Sequence, residues 1–159
     1  MATNNKFIVE RTNVLAADVT LGTSYAAVDA NDFGWYGKAG ETYEFAARVA
    51  YSAAAATDGA AFSVTATATP TAIAFVSEYN TDATTVVRTA GVAINTPDHG
   101  SASVAIGTGL NQAFVYGVIT PSADGMIEIS GIAENADSII AKGGLSVLSW
   151  KRVFVGDNE

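Results

Sequence analysis

Alternation of period two runs through much of this chain. Tyr43, Phe45, Ala47, Val49 and Tyr51 interleave with Glu44, Ala46, Arg48 and Ala50, the pattern of a strand with one buried face. After a run of small residues and the turn pair Asp58-Gly59, Phe62, Val64 and Ala66 interleave with Ser63, Thr65 and Thr67. Two long strands around an Asp-Gly pair predict a hairpin within residues 40–67, large enough to seed a sheet. A second major hairpin is predicted where Phe114, Tyr116, Val118 and Thr120 interleave with Val115, Gly117 and Ile119. Residues 126–132 return from it across Ser122-Ala123-Asp124-Gly125.

Shorter strands are predicted at Phe7-Ile8-Val9, around Val14-Leu15 and Val19-Thr20-Leu21, and at Ile73-Ala74-Phe75-Val76. Thr84 to Thr89 should pair near the last of these, and residues 101–106 and 145–155 complete the set. Residues 29–40 and 95–100 read as loops. The alanines 53–56 could wind one turn, but four alanines do not sustain a helix alone. The expected fold is all-β: a jelly-roll-like antiparallel β-sandwich of eight to ten strands. A short N-terminal arm, residues 1–14, precedes a single domain, residues 15–159. No fixed-period repeat points to a propeller or solenoid.

A chain of 159 residues is long enough to bury about 70% of its unfolded surface without staples. It has no cysteine, so neither disulfides nor thiolate metal sites contribute. Sixteen acidic against eight basic residues give a net charge of −8, which opposes binding to nucleic acid or anionic lipid. The N-terminus lacks an apolar signal core and no apolar run is long enough to span a membrane, so synthesis in a cytoplasm is expected. Charged residues make up only 15% of the chain. A surface so poor in charge suits close packing against another protein, or a sandwich rich in small side chains.

Candidate chemistry is sparse. The one histidine, His99, lies in a Pro-Asp-His-Gly loop without companions for a zinc site or a nucleophile, and reads as a solvated loop residue. Carboxylates fall in loose pairs, Asp29 with Asp32, Glu78 with Asp82, Asp124 with Glu128 and Glu134 with Asp137. Most sit at turns, where Asp caps backbone amides. Asp29-Ala30-Asn31-Asp32 gathers oxygen ligands that could hold calcium, though without the full loop pattern. Gly107-Thr108-Gly109 lacks the glycine and helix of a phosphate loop. No enzyme, cofactor or resident metal is expected. The best binding candidate is the aromatic knot Phe33, Trp35 and Tyr36. It plugs one end of the core, anchors a protein partner, or stacks on a sugar. With Phe7 and Val9 of the arm it forms the candidate interface.

Several stretches together carry a family resemblance. They are Tyr43-Glu44-Phe45, Tyr51-Ser52-Ala53-Ala54-Ala55-Ala56-Thr57-Asp58-Gly59 and Phe62-Ser63-Val64. They continue with Tyr116-Gly117-Val118-Ile119-Thr120-Pro121-Ser122-Ala123-Asp124-Gly125-Met126-Ile127-Glu128-Ile129, and with Ala141-Lys142-Gly143-Gly144-Leu145. From Gly40 onward the chain resembles small β-sandwich structural proteins and fibre-head domains of tailed bacteriophages. Gly143-Gly144 departs from the Gly-Ser that family places before its final strand. The resemblance implies a jelly-roll-like, usually trimeric protein exposed on the virion, and carries over no active-site residues. With only a short arm before the domain, a capsid decoration (cement) protein is expected, its partner the major capsid protein of the same particle. The alternative is a fibre head or carbohydrate-binding module recognising a host glycan.

Overall fold

The computed structural model describes residues 9–80, 85–96 and 109–154, and every regular element within them is a strand. In chain order these are β1 (Arg11–Val14), β2 (Val19–Thr20), β3 (Ala26–Ala27), β4 (Gly34–Gly37), β5 (Thr42–Ala53) and β6 (Ala60–Ala66). They continue with β7 (Ala72–Asn80), β8 (Val86–Gly91), β9 (Leu110–Thr120), β10 (Gly125–Ala133), β11 (Ile139–Ala141) and β12 (Val147–Val153). The count exceeds the expected eight to ten because β3 and β11 are pairings of two or three residues, too short to leave a period in sequence, and β4 lies in a stretch read as loop. The expected strand at Phe7-Ile8-Val9 falls largely outside the described residues, as do residues 101–106, His99, Asp82 and the tail.

All ladders are antiparallel and form two sheets. Sheet A runs β1-β12-β5-β9-β7-β8, with β11 and β2 continuing it beside the end of β5. In sheet B, β10 pairs β6 on one side and β3 and β4 on the other. The sheets face each other as a sandwich. Phe45, Val49, Tyr51, Val115, Ile119 and Leu148 from sheet A meet Trp35, Phe62, Val64, Ile127 and Ile129 from sheet B. Each of these side chains is at most 3% exposed. Such burial is the main favourable contribution to folding. β1 pairs β12 of the same chain, from Arg11 opposite Trp150 to Val14 opposite Val147.

Neither predicted hairpin forms. β5 lies in sheet A between β9 and β12, while β6 lies in sheet B on β10. Tyr51 and Phe62 therefore meet across the core, ring centroids 5.2 Å apart. β9 and β10 divide between the sheets in the same way. Both connections are arches that cross from one sheet to the other, and each is laced to a second arch by an aspartate. At one end Asp58 accepts from Ala55 N (2.9 Å) and from Asn135 Nδ2 (2.9 Å), while Gly59 N donates to Glu134 (3.1 Å). At the other end Asp124 accepts from Ala39 N (2.9 Å) and from Lys38 Nζ (2.7 Å), and Gly40 N donates to Pro121 O (2.9 Å). The Lys38 ammonium and the Ala39 amide hold the Asp124 carboxyl below its ordinary range. A two-residue hairpin turn of the Asp-Gly kind needs positive φ at both central residues. Asp58, Gly59, Asp124 and Gly125 are all outside that region.

Residues 29–40 also depart from expectation, since the knot contains β4. Its backbone pairs with β10 from Gly34 opposite Glu128 to Gly37 opposite Gly125. A side chain at position 34 would put its Cβ 2.5 Å from Ile127 O and 2.7 Å from Glu128 Cγ. The glycine that weakens the strand signal is thus what lets the strand close on β10.

β5 has a gap on one side, between its pairing with β12, which ends at Arg48, and its pairing with β11, which begins at Tyr51. Ser146 fills it. Its buried hydroxyl accepts from Ala50 N (3.1 Å) and donates to Ala50 O (3.2 Å), and Lys142 N also donates to Ala50 O (2.8 Å). Ser146→Ala leaves the Ala50 amide buried without an acceptor. The expected cost is about 1–3 kcal/mol, read as a lower urea midpoint at unchanged slope.

Candidate functional site

Of the five sequence-nominated residues, Val9 and Tyr36 come together on one groove, while the others do not join them there among the described residues. Phe33 and Trp35 are core side chains, 0% and 3% exposed, and offer no surface to a partner. Period two explains the split within the knot: Trp35 turns inward from β4 and Tyr36 outward, 55% exposed. Val9 is exposed, and Phe7 lies outside the described residues. Of the loose carboxylate pairs, Asp82 lies outside the described residues, and several of the described members are engaged with other partners. Asp29 Oδ1 accepts from Asn31 N (2.8 Å) and Asp32 N (3.2 Å), Glu78 pairs with Arg88 (2.7 Å), and Glu134 accepts from Gly59. Glu128 is raised above its ordinary range by burial, and further by Asp29. Among the described residues no group of three or more His, Cys, Asp or Glu is placed to hold a metal ion.

Cations mark two surfaces. Lys38, Arg88, Lys142, Lys151 and Arg152 each have a carboxylate partner, at 2.7–3.2 Å. Arg11 and Arg48 have none among the described residues. Pairs this exposed contribute little to stability, but they show where charge is already matched and where it is not.

Arg48 stands on the outer face of sheet A. It is opposite Phe114 of β9 and Val147 of β12, and one row along, Ala46 is opposite Tyr116 and Ser149. Phe114, Tyr116 and Val118 point outward from the sheet in a line, 39%, 37% and 42% exposed. The charges bordering the line are neutralised in place, Glu44 by Lys151 and Glu78 by Arg88. A shallow depression of about 390 Å³ lies here, lined by Glu10, Ala46, Ala47, Arg48, Phe114, Tyr116, Val147 and Ser149. The result is a broad β surface with aromatic and small apolar side chains, one unmatched guanidinium, and one carboxylate, Glu10, that is likewise without an ion pair among the described residues. The sequence shows β9 as apolar on both faces, so alternation alone cannot say whether Phe114 or Val115 is inside. The signal that decides it is Arg48 and Glu44 opposite Phe114 and Val118, and reading it requires the register.

Arg11 stands on the other side of the same β1–β12 ladder, at an end of the sandwich. A groove of about 280 Å³ is lined there by Val9, Arg11, Tyr36, Tyr43, Trp150, Arg152 and Phe154. Beneath it the aromatic rings interlock. Trp150 stacks on Trp35 (5.6 Å between centroids, 15° between planes), and Tyr43 meets both at 6.1 Å. The Tyr43 hydroxyl donates to Glu41 (2.9 Å) and accepts from Lys38 N (3.0 Å).

No protein-family model matches this chain, and no curated protein matches it. Among solved structures it is similar to the VP2 subviral particle of infectious bursal disease virus. The identity is 12%, over 98% of this chain and 42% of that one, with a TM-score of 0.25. The Gx strain of the same virus gives 11% identity, 98% and 42% coverage and a TM-score of 0.26. The chain spans well under half the length of these proteins, and likeness at this level supports no inference about its role.

Proposed function

We propose that this protein is a non-enzymatic capsid decoration (cement) protein of a tailed bacteriophage, binding the outer surface of the head through the exposed face of sheet A. The observation that carries this reading is the line Phe114, Tyr116 and Val118 beside the unmatched Arg48. Protein interfaces are enriched in aromatic residues and arginine and depleted of lysine and glutamate at their centres. The same residue types supply most binding hot spots. A sandwich with no partner normally turns polar side chains outward along its sheets.

Mechanistically, the face lies across neighbouring major capsid subunits, removes apolar surface from water and adds contact area that resists expansion of the shell. A trimer engages three equivalent sites at once, so modest individual contacts sum to firm attachment. Light scattering is expected to report three copies per particle in solution, and the protein is expected in purified virions at a copy number on the scale of the capsid lattice. A monomer absent from virions would contradict the reading. The double variant Phe114→Glu, Tyr116→Glu is expected to fold, because neither ring is a core side chain, with a lower melt because a carboxylate at 114 stands opposite Glu78. It should lose capsid affinity by at least about thirtyfold, the loss of a single hot spot.

A further inference from the structure

We propose that the groove at the end of the sandwich binds a carboxylate-bearing sugar unit, with Arg11 as the anion contact and Tyr36 and Trp150 as the stacking walls. The site lies on the opposite side of the β1–β12 ladder from the docking face, so the inference stands independently of the capsid reading.

Electrostatics come first. In a chain with sixteen acidic and eight basic residues, a guanidinium is expected to find an internal carboxylate. Arg11 has none among the described residues, while Arg152, also on the groove, is held by Glu41 (2.7 Å) and lies over the Phe154 ring (4.8 Å). The Lys38 ammonium, 5.1 Å from the centre of the Tyr36 ring, is matched by Asp124 at 2.7 Å, so Arg11 is the unmatched cation of the groove. A planar guanidinium with free donors matches a carboxylate in two parallel hydrogen bonds.

Shape selects the rest of the ligand. The groove, about 280 Å³, lies just below the roughly 300–1,000 Å³ range of ligand pockets, which fits one ring rather than a folded partner. Aromatic side chains offer flat apolar faces, and that of Tyr36 also carries a hydroxyl. A pyranose has an apolar face of similar extent.

The test is a titration of the full chain with oligogalacturonate and, in parallel, with the neutral galactose oligomer, followed by tryptophan fluorescence and calorimetry. The expected result is saturable binding of the acidic oligomer with a change in tryptophan emission, and none with the neutral one. Arg11→Gln should weaken binding by about tenfold or more, and Tyr36→Ala should weaken it too, with both variants keeping the wild-type melt. No binding of oligogalacturonate, equal binding of the neutral oligomer, or an Arg11→Gln variant that binds like wild type would each overturn the proposal. Equal binding of an oligoglutamate peptide would also overturn it, assigning the groove to acidic peptide instead.

Discussion

Replacing Trp35 by alanine is expected to lower stability by about 3–5 kcal/mol, out of the roughly 5–15 kcal/mol that a domain of this kind has in total. Trp35 is a sheet B side chain that enters the aromatic cluster of sheet A. It stacks on Trp150 and lies 6.1 and 5.7 Å from the rings of Tyr43 and Phe45. Truncation opens a cavity between the sheets that neighbouring strands, held by their ladders, cannot collapse to fill. The adjacent substitution Tyr36→Ala is expected to stay within about 0.5 kcal/mol, since that ring is 55% exposed. Urea melts of the two variants check the contrast. Equal effects would mean that the knot does not divide between core and surface as described.

Gly117→Val is expected to cost about 3 kcal/mol or more, and for a different reason. Gly117 lies in the middle of β9, opposite Phe45 on β5 and Phe75 on β7. A Cβ there would overlap Ala74 O and stand 2.5 Å from Phe75 Cα and Cβ. The obstacle is the backbone of β7, which cannot rotate away as a side chain would, so β7 must leave β9 along part of its ladder. Gly22→Ala is the matching control. Nothing lies within 4 Å of an added Cβ at that position, and thermal melting should barely shift. A Gly117→Val protein with the wild-type melting temperature would contradict the β7–β9 register.

Strand positions were legible because alternation survives without tertiary information. β5, β6, β7, β9, β10 and β12 lie where period two or β-branched runs place them, and the all-β sandwich follows from their number. Partnership was not legible. The Asp-Gly pairs at 58–59 and 124–125 carry the local signature of tight hairpin turns. What distinguishes them is what the aspartates bond to, namely Asn135 in one arch and Lys38 and Ala39 in the other. Those partners are 77, 86 and 85 residues away in sequence. The candidate surface was missed for a related reason. In β9 both Phe114-Tyr116-Val118 and Val115-Gly117-Ile119 read as mainly apolar, and only the register against β5 turns the first set outward. The aromatic knot drew attention by composition. Of its three rings Tyr36 alone reaches the surface, while Arg11, which nothing in its local sequence distinguishes, lines the groove beside it.

The most direct test of the docking account is reconstitution on heads stripped of this protein. Wild type and the Phe114→Glu, Tyr116→Glu variant are added back, bound copies per particle are counted, and the temperature of head rupture is measured. The account predicts saturable binding of wild type with a higher rupture temperature, and neither effect from the variant at the same concentration. A folded variant that binds and stabilises as well as wild type would contradict docking through sheet A.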